Sequence, residues 1–332
     1  MQAPGYVSLY RSGELARRAR ALEARLAACD ICPRECRVNR LAGERGACRS
    51  GPELLVASIC DHHGEEPAIS GARGSGTVFL GNCNLSCVYC QNSQISQPEQ
   101  PDAFQVLTPR QLAERLLYLQ DRLGCHNINF VTPSHFVPGL VRTLVEAVPL
   151  GLRVPIVYNT SSYDSLATLR ALEGVVSIYL ADLRYASDAA ARRYSGVRRY
   201  VAHARAAIRE MYRQVGNLQT DDSGVAVSGL IVRLLVLPGD LSGTVNSLRW
   251  LARKVSPRVT ISVMSQYYPA HRAYRYPELA RRLTAAEYRR VTSAVTRLGL
   301  ENGWVQGLAS PDTYRPDFRR PAHPFESTPR NR

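Results

Sequence analysis

Seven of the nine cysteines fall into two tight clusters, and their type and spacing suit them to metal chemistry. The first cluster comprises Cys29, Cys32, Cys36 and Cys48, and the second comprises Cys83, Cys87 and Cys90. An odd total argues against a complete set of disulfides, and thiols grouped this closely in a reducing compartment are typical of metal sites. We therefore expect both clusters to bind metal. Cys60 and Cys125 stand alone and are expected to be buried apolar residues.

The second cluster stops at three ligands. It lies in the segment GNCNLSCVYCQNSQ (81–94), with the spacing Cys-x3-Cys-x2-Cys. A closed zinc or iron–sulfur site generally takes four thiolates or imidazoles. A cubane held by three thiolates keeps one iron open, and an open metal position is typical of catalysis rather than of structure. The alternative is a zinc knuckle completed by a remote cysteine or histidine.

The same segment resembles a known enzyme signature. CNLSCVYCQN is similar to the motif of the radical S-adenosylmethionine (SAM) enzymes, with Tyr89 as the aromatic residue before the last cysteine. The resemblance implies a 4Fe-4S cluster on the three cysteines, with SAM bound to the open iron. It also implies a flavodoxin- or ferredoxin-like reductant. Reductive cleavage of SAM would then give a 5′-deoxyadenosyl radical that abstracts hydrogen from a substrate.

Further segments resemble one uncharacterised group, which is similar to pyruvate formate-lyase activating enzyme. These segments are CDICPRECRVNRLAGERGAC (29–48), HHGEEPAISG (62–71), VTPSHFVP (131–138) and LPG (237–239). The resemblance implies that the substrate is a glycyl-radical enzyme or a peptide. The substrate itself cannot be identified from these residues.

From residue 77 onward, short apolar runs alternate with helical patterns. The predicted strands are 77–81, 127–131, 154–159, 175–182, 227–239 and 259–267. Thr108 with Pro109 predicts a helix start, and Thr284 with Glu287 predicts a capping box on a helix that ends at Gly299. Six strand–helix units favour a parallel sheet, so the predicted fold class is α/β, a partial (β/α)6 TIM-type barrel. Active sites of such folds lie at the carboxyl ends of the strands.

Three regions are predicted. Residues 1–76 form an N-terminal helix plus a four-cysteine metal-binding extension, residues 77–309 form the barrel core, and residues 310–332 form a Pro/Arg-rich tail that we expect to be weakly ordered.

The resemblance carries candidate SAM-binding residues to the predicted strand ends. Residues 132–135, Thr-Pro-Ser-His, stand where many radical SAM enzymes have Gly-Gly-Glu-Pro, and ADLRY (181–185) resembles an Asp-x-Lys motif with arginine in place of lysine. Arg233 interrupts an apolar strand and needs either an anionic co-substrate or an internal pair with Asp182. The expected cofactor-binding residues are Tyr89, Thr132, Ser134, His135, Asn159, Thr160, Asp182, Arg184 and Arg233.

The N-terminal cluster has four thiols and can close a site without help. Tetrahedral zinc fits the spacing, and an auxiliary iron–sulfur cluster fits it too; we favour structural zinc. His62, His63, Glu65 and Glu66 follow this cluster. They could contact a substrate, but a solvated polar turn is the simpler interpretation.

The chain has a net charge of +14 and a pI near 9.6, which would suit an acidic partner. Lys254 is the only lysine, however, and the arginines are spread along amphipathic segments, so a solvated basic surface is favoured over nucleic-acid binding. No apolar run is long enough to span a bilayer and no secretory signal is evident, which predicts a cytoplasmic protein without a membrane partner. The competing functions are a zinc-binding protein that docks nucleic acid and a non-catalytic iron–sulfur electron carrier.

Overall fold

A computed structural model describes residues 3–99, 104–308, 316–320 and 323–325. The predicted tail, residues 310–332, therefore lies largely outside the described residues. Within the described part, Phe318 and Phe325 pack against Phe79, with ring centroids 5.1 and 5.9 Å away. No helix of the described residues combines the length and apolar character that crossing a bilayer requires.

Ten strands and eleven α-helices make up the described secondary structure. The strands are β1 (Leu54–His62), β2 (Ser75–Leu80), β3 (Gln105–Leu107), β4 (Ile128–Val131), β5 (Ile156–Thr160), β6 (Ile178–Asp182), β7 (Gln219–Thr220), β8 (Ala226–Leu235), β9 (Thr260–Met264) and β10 (Gly303–Val305). The helices are α1 (Gly5–Arg11), α2 (Glu14–Ala24), α3 (Pro67–Ser70), α4 (Ser93–Ser96), α5 (Pro109–Asp121), α6 (Val137–Leu150), α7 (Leu166–Ala171), α8 (Asp188–Ser195), α9 (Tyr200–Val215), α10 (Thr244–Lys254) and α11 (Ala285–Arg297).

The strands form one sheet in the order β10-β9-β8-β6-β5-β4-β2-β1-β3, with β7 paired to β8. All neighbours from β2 to β10 along this path are parallel, whereas β1 pairs with β2 and β3 in antiparallel fashion. The large parallel sheet and the α/β class are therefore confirmed. The strand order is the one that a partial barrel requires, and the curvature of a barrel remains a prediction.

Burial on both faces explains why the parallel strands read as continuous apolar runs. Every residue of β2, β4, β5 and β9 is buried, as expected when both faces of a parallel sheet are covered. The helix starts follow the capping signals. Thr108 caps α5 through Gln111, and Thr284 caps α11 through Glu287, each as a complete capping box.

The N-terminal region is joined to the core by the sheet and by helix packing. Strand β1 continues the sheet beyond β2, with Cys60 opposite Thr77. Helix α2 packs on α6, where the Arg142 guanidinium donates to both carboxylate oxygens of Glu23 at 2.9 and 2.6 Å. Residues before 77 therefore complete one edge of the sheet that carries the candidate site.

Candidate functional site

The three-cysteine loop starts directly after β2, at the carboxyl end of the parallel sheet. Polar groups, one of them distant in sequence, lie within hydrogen-bond distance of its sulfur atoms. Cys87 Sγ lies 2.9 Å from Ser195 Oγ, and Cys90 Sγ lies 3.1 Å from Ser96 Oγ. The Leu85 backbone N–H donates to Cys83 Sγ at 3.3 Å. Hydrogen bonds of this kind to cluster thiolates help set the reduction potential of iron–sulfur sites.

Two residues beside the loop adopt left-handed backbone conformations that side chains generally avoid. Asn82, just before Cys83, has φ of 61°, and Thr132, directly after β4, has the same value. For a β-branched residue such as Thr132 this conformation is strained, and such strain clusters at functional sites. Both residues lie where parallel strands end.

One cavity is lined by all three cysteines of the loop. Six predicted cofactor residues line the same cavity: Thr132, Asn159, Thr160, Asp182, Arg184 and Arg233. Among the described residues that line it, no further cysteine or histidine is present. The set therefore fits a cubane that takes three thiolates from the protein and its fourth ligand from another molecule.

The thiols need a compensating cation to ionise. The pKa of the Cys83 thiol is raised to about 12, mainly by burial and also by the neighbouring Cys87, whereas the Arg184 guanidinium acts in the opposite direction. Burial likewise raises the pKa of the Cys90 thiol. Thiolate ligands in this pocket therefore require a strong local positive charge, which bound iron supplies.

Asp182 stands between two arginines at the cavity wall. Arg184 Nη2 donates to Asp182 Oδ2 at 2.6 Å, and Arg233 Nε donates to Asp182 Oδ1 at 2.7 Å. Burial by itself disfavours the charged form of Arg184, but Asp182 raises its pKa well above the ordinary value. The buried Arg184 Nε finds no hydrogen-bond partner among the described residues. Arg184 itself lines the cavity, although this nitrogen is buried.

Arg233 has the internal partner that the sequence suggested as an alternative to a co-substrate. Besides Asp182, its Nη2 donates to Asn159 Oδ1 at 2.6 Å and its Nη1 donates to Glu65 Oε2 at 3.1 Å. Each nitrogen of this guanidinium therefore has a protein acceptor.

Glu65 and Glu66 were not among the predicted site residues, and the simpler interpretation of a solvated turn is wrong for both. Their side chains are 9% and 7% exposed, and they face Arg233. They line a second cleft of about 330 Å³, which shares Asn159, Asp182 and Arg233 with the cysteine cavity. The GEEP segment was visible in the sequence, but nothing local indicated that it folds inward.

The other predicted cofactor residues lie away from the cysteine cavity. Ser134 Oγ is buried 3.3 Å from Thr160 Oγ1, and His135 is buried with its Nε2 3.0 Å from the Gly81 carbonyl oxygen. Burial lowers the pKa of His135 to about 3, so it is neutral. Tyr89 lines the second cleft, although its hydroxyl is engaged by the Tyr185 hydroxyl at 2.6 Å. The structure thus gives Ser134 and His135 packing partners rather than an opening to this cavity.

The four N-terminal cysteines line a separate small cavity, together with Arg40 and His135. All nine cysteines are free thiols, and Cys60 and Cys125 are buried as expected. Across the described ranges, no group of three or more His, Cys, Asp or Glu side chains is arranged to hold a single metal ion. In a cluster each thiolate binds a different iron, so this finding concerns single-ion sites.

No protein-family model matches the chain. In sequence, the uncharacterized protein MJ0674 of Methanocaldococcus jannaschii is 28% identical over 279 residues, which are 82% of this chain and 75% of that protein.

Solved structures of similar shape include HydG, a maturase of the FeFe-hydrogenase, and the methylornithine synthase PylB. The first has 13% identity and a TM-score of 0.47 over 76% of this chain, and the second has 16% identity and a TM-score of 0.45 over 69%. This chain spans 55% and 63% of their respective lengths. TYW1 with a lysine–pyruvate adduct has 10% identity and a TM-score of 0.41, over 66% of this chain and 73% of that one.

Proposed function

We propose that this protein is a radical SAM enzyme. The observation that carries the proposal is the single cavity that is lined by Cys83, Cys87 and Cys90 together with Asp182 and Arg184. The enzyme signature carried by these cysteines supports the same interpretation. When bound, a 4Fe-4S cluster on the three cysteines would supply the electron that cleaves SAM.

The protein groups around the cavity would bind and orient SAM. Arg184 lines the cavity and would offer its guanidinium to the methionyl carboxylate, because a guanidinium fork suits a carboxylate. Asp182 holds Arg184 in position through the 2.6 Å ion pair. Asn159 and Thr160 add polar groups at the end of β5, and Thr132 does so at the end of β4.

The substrate would enter the second cleft, which adjoins the cysteine cavity and is lined by Tyr89, Glu66 and Gln266. In this proposal the enzyme abstracts hydrogen from a glycyl-radical enzyme or a peptide, as the resemblance to activating enzymes implies. It would act in the cytoplasm with a flavodoxin- or ferredoxin-like donor.

Binding of SAM to a cluster can be tested without a substrate. After anaerobic reconstitution and reduction with dithionite, SAM addition should change the electron paramagnetic resonance (EPR) spectrum of the reduced cluster, because its ligand atoms bind the open iron. Cys87→Ala should lose this spectrum, and the matched control Cys125→Ala should keep it, since Cys125 is buried outside both cysteine groups. A reduced cluster whose spectrum does not respond to SAM would contradict the proposal.

A further inference from the structure

The four N-terminal cysteines surround one small cavity. Cys29, Cys32 and Cys48 are buried and Cys36 is half-buried, and all four line that cavity. The loop between them is folded tightly, because the Cys29 backbone N–H donates to the Val38 carbonyl and the Arg37 N–H donates to the Cys29 carbonyl, both at 2.9 Å. Four free thiols line one cavity, and four thiolates are the ligand set of an iron–sulfur cluster.

A buried cation beside these thiols requires an anionic occupant. Arg40 is 2% exposed, and its Nη1 lies 3.9 Å from Cys29 Sγ. Its other acceptors are the neutral carbonyl oxygens of Gly51 and His135. Within the described residues no carboxylate pairs with this guanidinium, although a buried charge is costly unless it is paired. Four thiolates around iron or zinc carry the negative charge that Arg40 lacks.

Further hydrogen-bonding groups surround the sulfur atoms. The Ala47 backbone N–H donates to Cys36 Sγ at 3.4 Å. Burial raises the pKa of the Cys32 thiol to about 12, whereas hydrogen bonds from the Arg34 backbone and the Asn84 side chain lower it. N–H groups aimed at sulfur stabilise metal-bound thiolates.

One side chain joins this cavity to the three-cysteine loop. Asn84 is 1% exposed and follows Cys83 directly, and its Oδ1 lies 3.9 Å from Cys83 Sγ. Arg34, which lines the four-cysteine cavity, donates through Nε to the Asn84 carbonyl oxygen at 2.9 Å. Asn84 therefore contacts both Cys83 and a residue of the four-cysteine cavity.

His135 makes a second contact between the four-cysteine cavity and the three-cysteine loop. This residue lines the four-cysteine cavity, and its Nε2 lies 3.0 Å from the carbonyl oxygen of Gly81, two residues before Cys83. Zinc has no redox chemistry, so a zinc site would gain nothing from lying beside the three-cysteine loop. A redox centre at this place could exchange electrons with a cluster bound at the end of β2.

We propose that Cys29, Cys32, Cys36 and Cys48 hold an iron–sulfur cluster that passes electrons through the Asn84 contact to the three-cysteine site. The inference rests on the proposed function. A flavodoxin- or ferredoxin-like donor loses one electron to the N-terminal cluster, which is reoxidised as that electron moves on. The electron would end on the SAM sulfonium, whose carbon–sulfur bond breaks homolytically to give methionine and a 5′-deoxyadenosyl radical. Because Cys36 is half-buried and the other three cysteines are buried, the donor would approach the cluster from the side of Cys36.

The triple variant Cys83→Ala, Cys87→Ala, Cys90→Ala isolates the N-terminal site. After anaerobic reconstitution it should retain about four iron and four sulfide per chain, roughly half the wild-type content, and should show a reduced-cluster EPR signal that SAM does not alter. The complementary variant Cys32→Ala, Cys48→Ala should lose that signal and keep the SAM-responsive one. Zinc in place of iron in the triple variant would overturn the inference. The SAM response of the complementary variant tests the proposed function separately.

Electron transfer is tested by the magnetic interaction between the two centres. In fully reduced wild-type protein the EPR signals should be split or broadened by spin coupling, and Asn84→Leu should reduce this effect while both clusters remain. Cys125→Ala is the matched control and should leave the spectrum unchanged. Two independent, uncoupled signals in the wild-type protein would contradict the electron path, even if both clusters are present.

Discussion

Asp182 is central to the charges of the site, because it forms ion pairs with both Arg184 and Arg233. Asp182→Asn should leave iron content unchanged and weaken SAM binding at least tenfold, since Arg184 loses the partner that orients it. It should also lower the free energy of unfolding by about 3–5 kcal/mol, as expected when one partner of a buried ion pair is removed. SAM titration and urea unfolding measure the two effects. The exposed control Asp222→Asn should change neither, and a parallel loss of iron would contradict this role for Asp182.

Glu66 makes stability depend on pH. Burial raises the pKa of this carboxyl to about 7, because the opposing attraction of Arg233 is smaller than the desolvation cost. A raised carboxyl pKa stabilises the folded state below about pH 4.5, and that contribution is lost as pH rises through 7. The wild type should therefore lose on the order of 3 kcal/mol relative to Glu66→Gln between pH 5 and pH 8. Urea unfolding at both pH values measures the difference, and Glu301→Gln is the exposed control. Parallel pH profiles would rule out this burial effect.

At the level of residues, local motifs could be predicted and long-range partners could not. The cysteine spacing and the Asp182–Arg184 pair lie within short segments, so the sequence displays them. Ser195 is 108 positions from Cys87, and Glu65 is 168 positions from Arg233. Such contacts arise only from the packing of the strands, and a serine or a glutamate in a loop carries no sign of its partner.

Among the elements, helix α11 depends on its capping box. Thr284 Oγ1 accepts from the Glu287 backbone N–H at 3.2 Å, and the Glu287 carboxylate accepts in return from the Thr284 N–H at 2.9 Å. Thr284→Ala should lower the free energy of unfolding by about 1 kcal/mol. Urea unfolding measures this loss. Thr292→Ala, in the same helix but without a capping role, should cost little, and equal losses would contradict the assignment.

Strand β1 makes the N-terminal region inseparable from the core. Deleting residues 1–76 should remove β1 and part of β2, uncover the face of α6 that α2 covers, and leave an unpaired sheet edge. We expect the remaining fragment to aggregate when expressed, whereas a deletion that begins after residue 325 should stay soluble. Size-exclusion chromatography measures the outcome. A monomeric fragment with native circular dichroism would show that the core folds alone.

The parallel strands were predictable because burial on both faces makes them apolar throughout. Strands β3 and β10 were not predicted, since three residues at a sheet edge give no periodic pattern. Strand β1 was missed for another reason: its burial alternates imperfectly, with a bulge between Val56 and Ser58. The starts of helices α5 and α11 were predicted from Thr108 and Thr284, and the end of α11 was predicted from Gly299.

On the scale of the whole molecule, the fold brings two cysteine groups together that are far apart in sequence. Asn84 lies between Cys83 and Arg34 of the four-cysteine cavity, and the second cleft is lined by Tyr89 and Glu66. In the two proposals above, this arrangement would link electron supply, SAM binding and substrate binding. The net charge of +14 did not predict where these groups lie.

The production of 5′-deoxyadenosine from SAM tests the central claim most directly. Reconstituted wild-type protein, reduced under anaerobic conditions, should form 5′-deoxyadenosine and methionine, as quantified by liquid chromatography with mass spectrometry. Cys83→Ala, Cys87→Ala and Cys90→Ala should each reduce this product to background, because one lost thiolate disables the cluster, whereas Cys125→Ala should retain it. Wild-type protein that carries a reduced cluster and forms no 5′-deoxyadenosine, or that holds only zinc, would contradict the account.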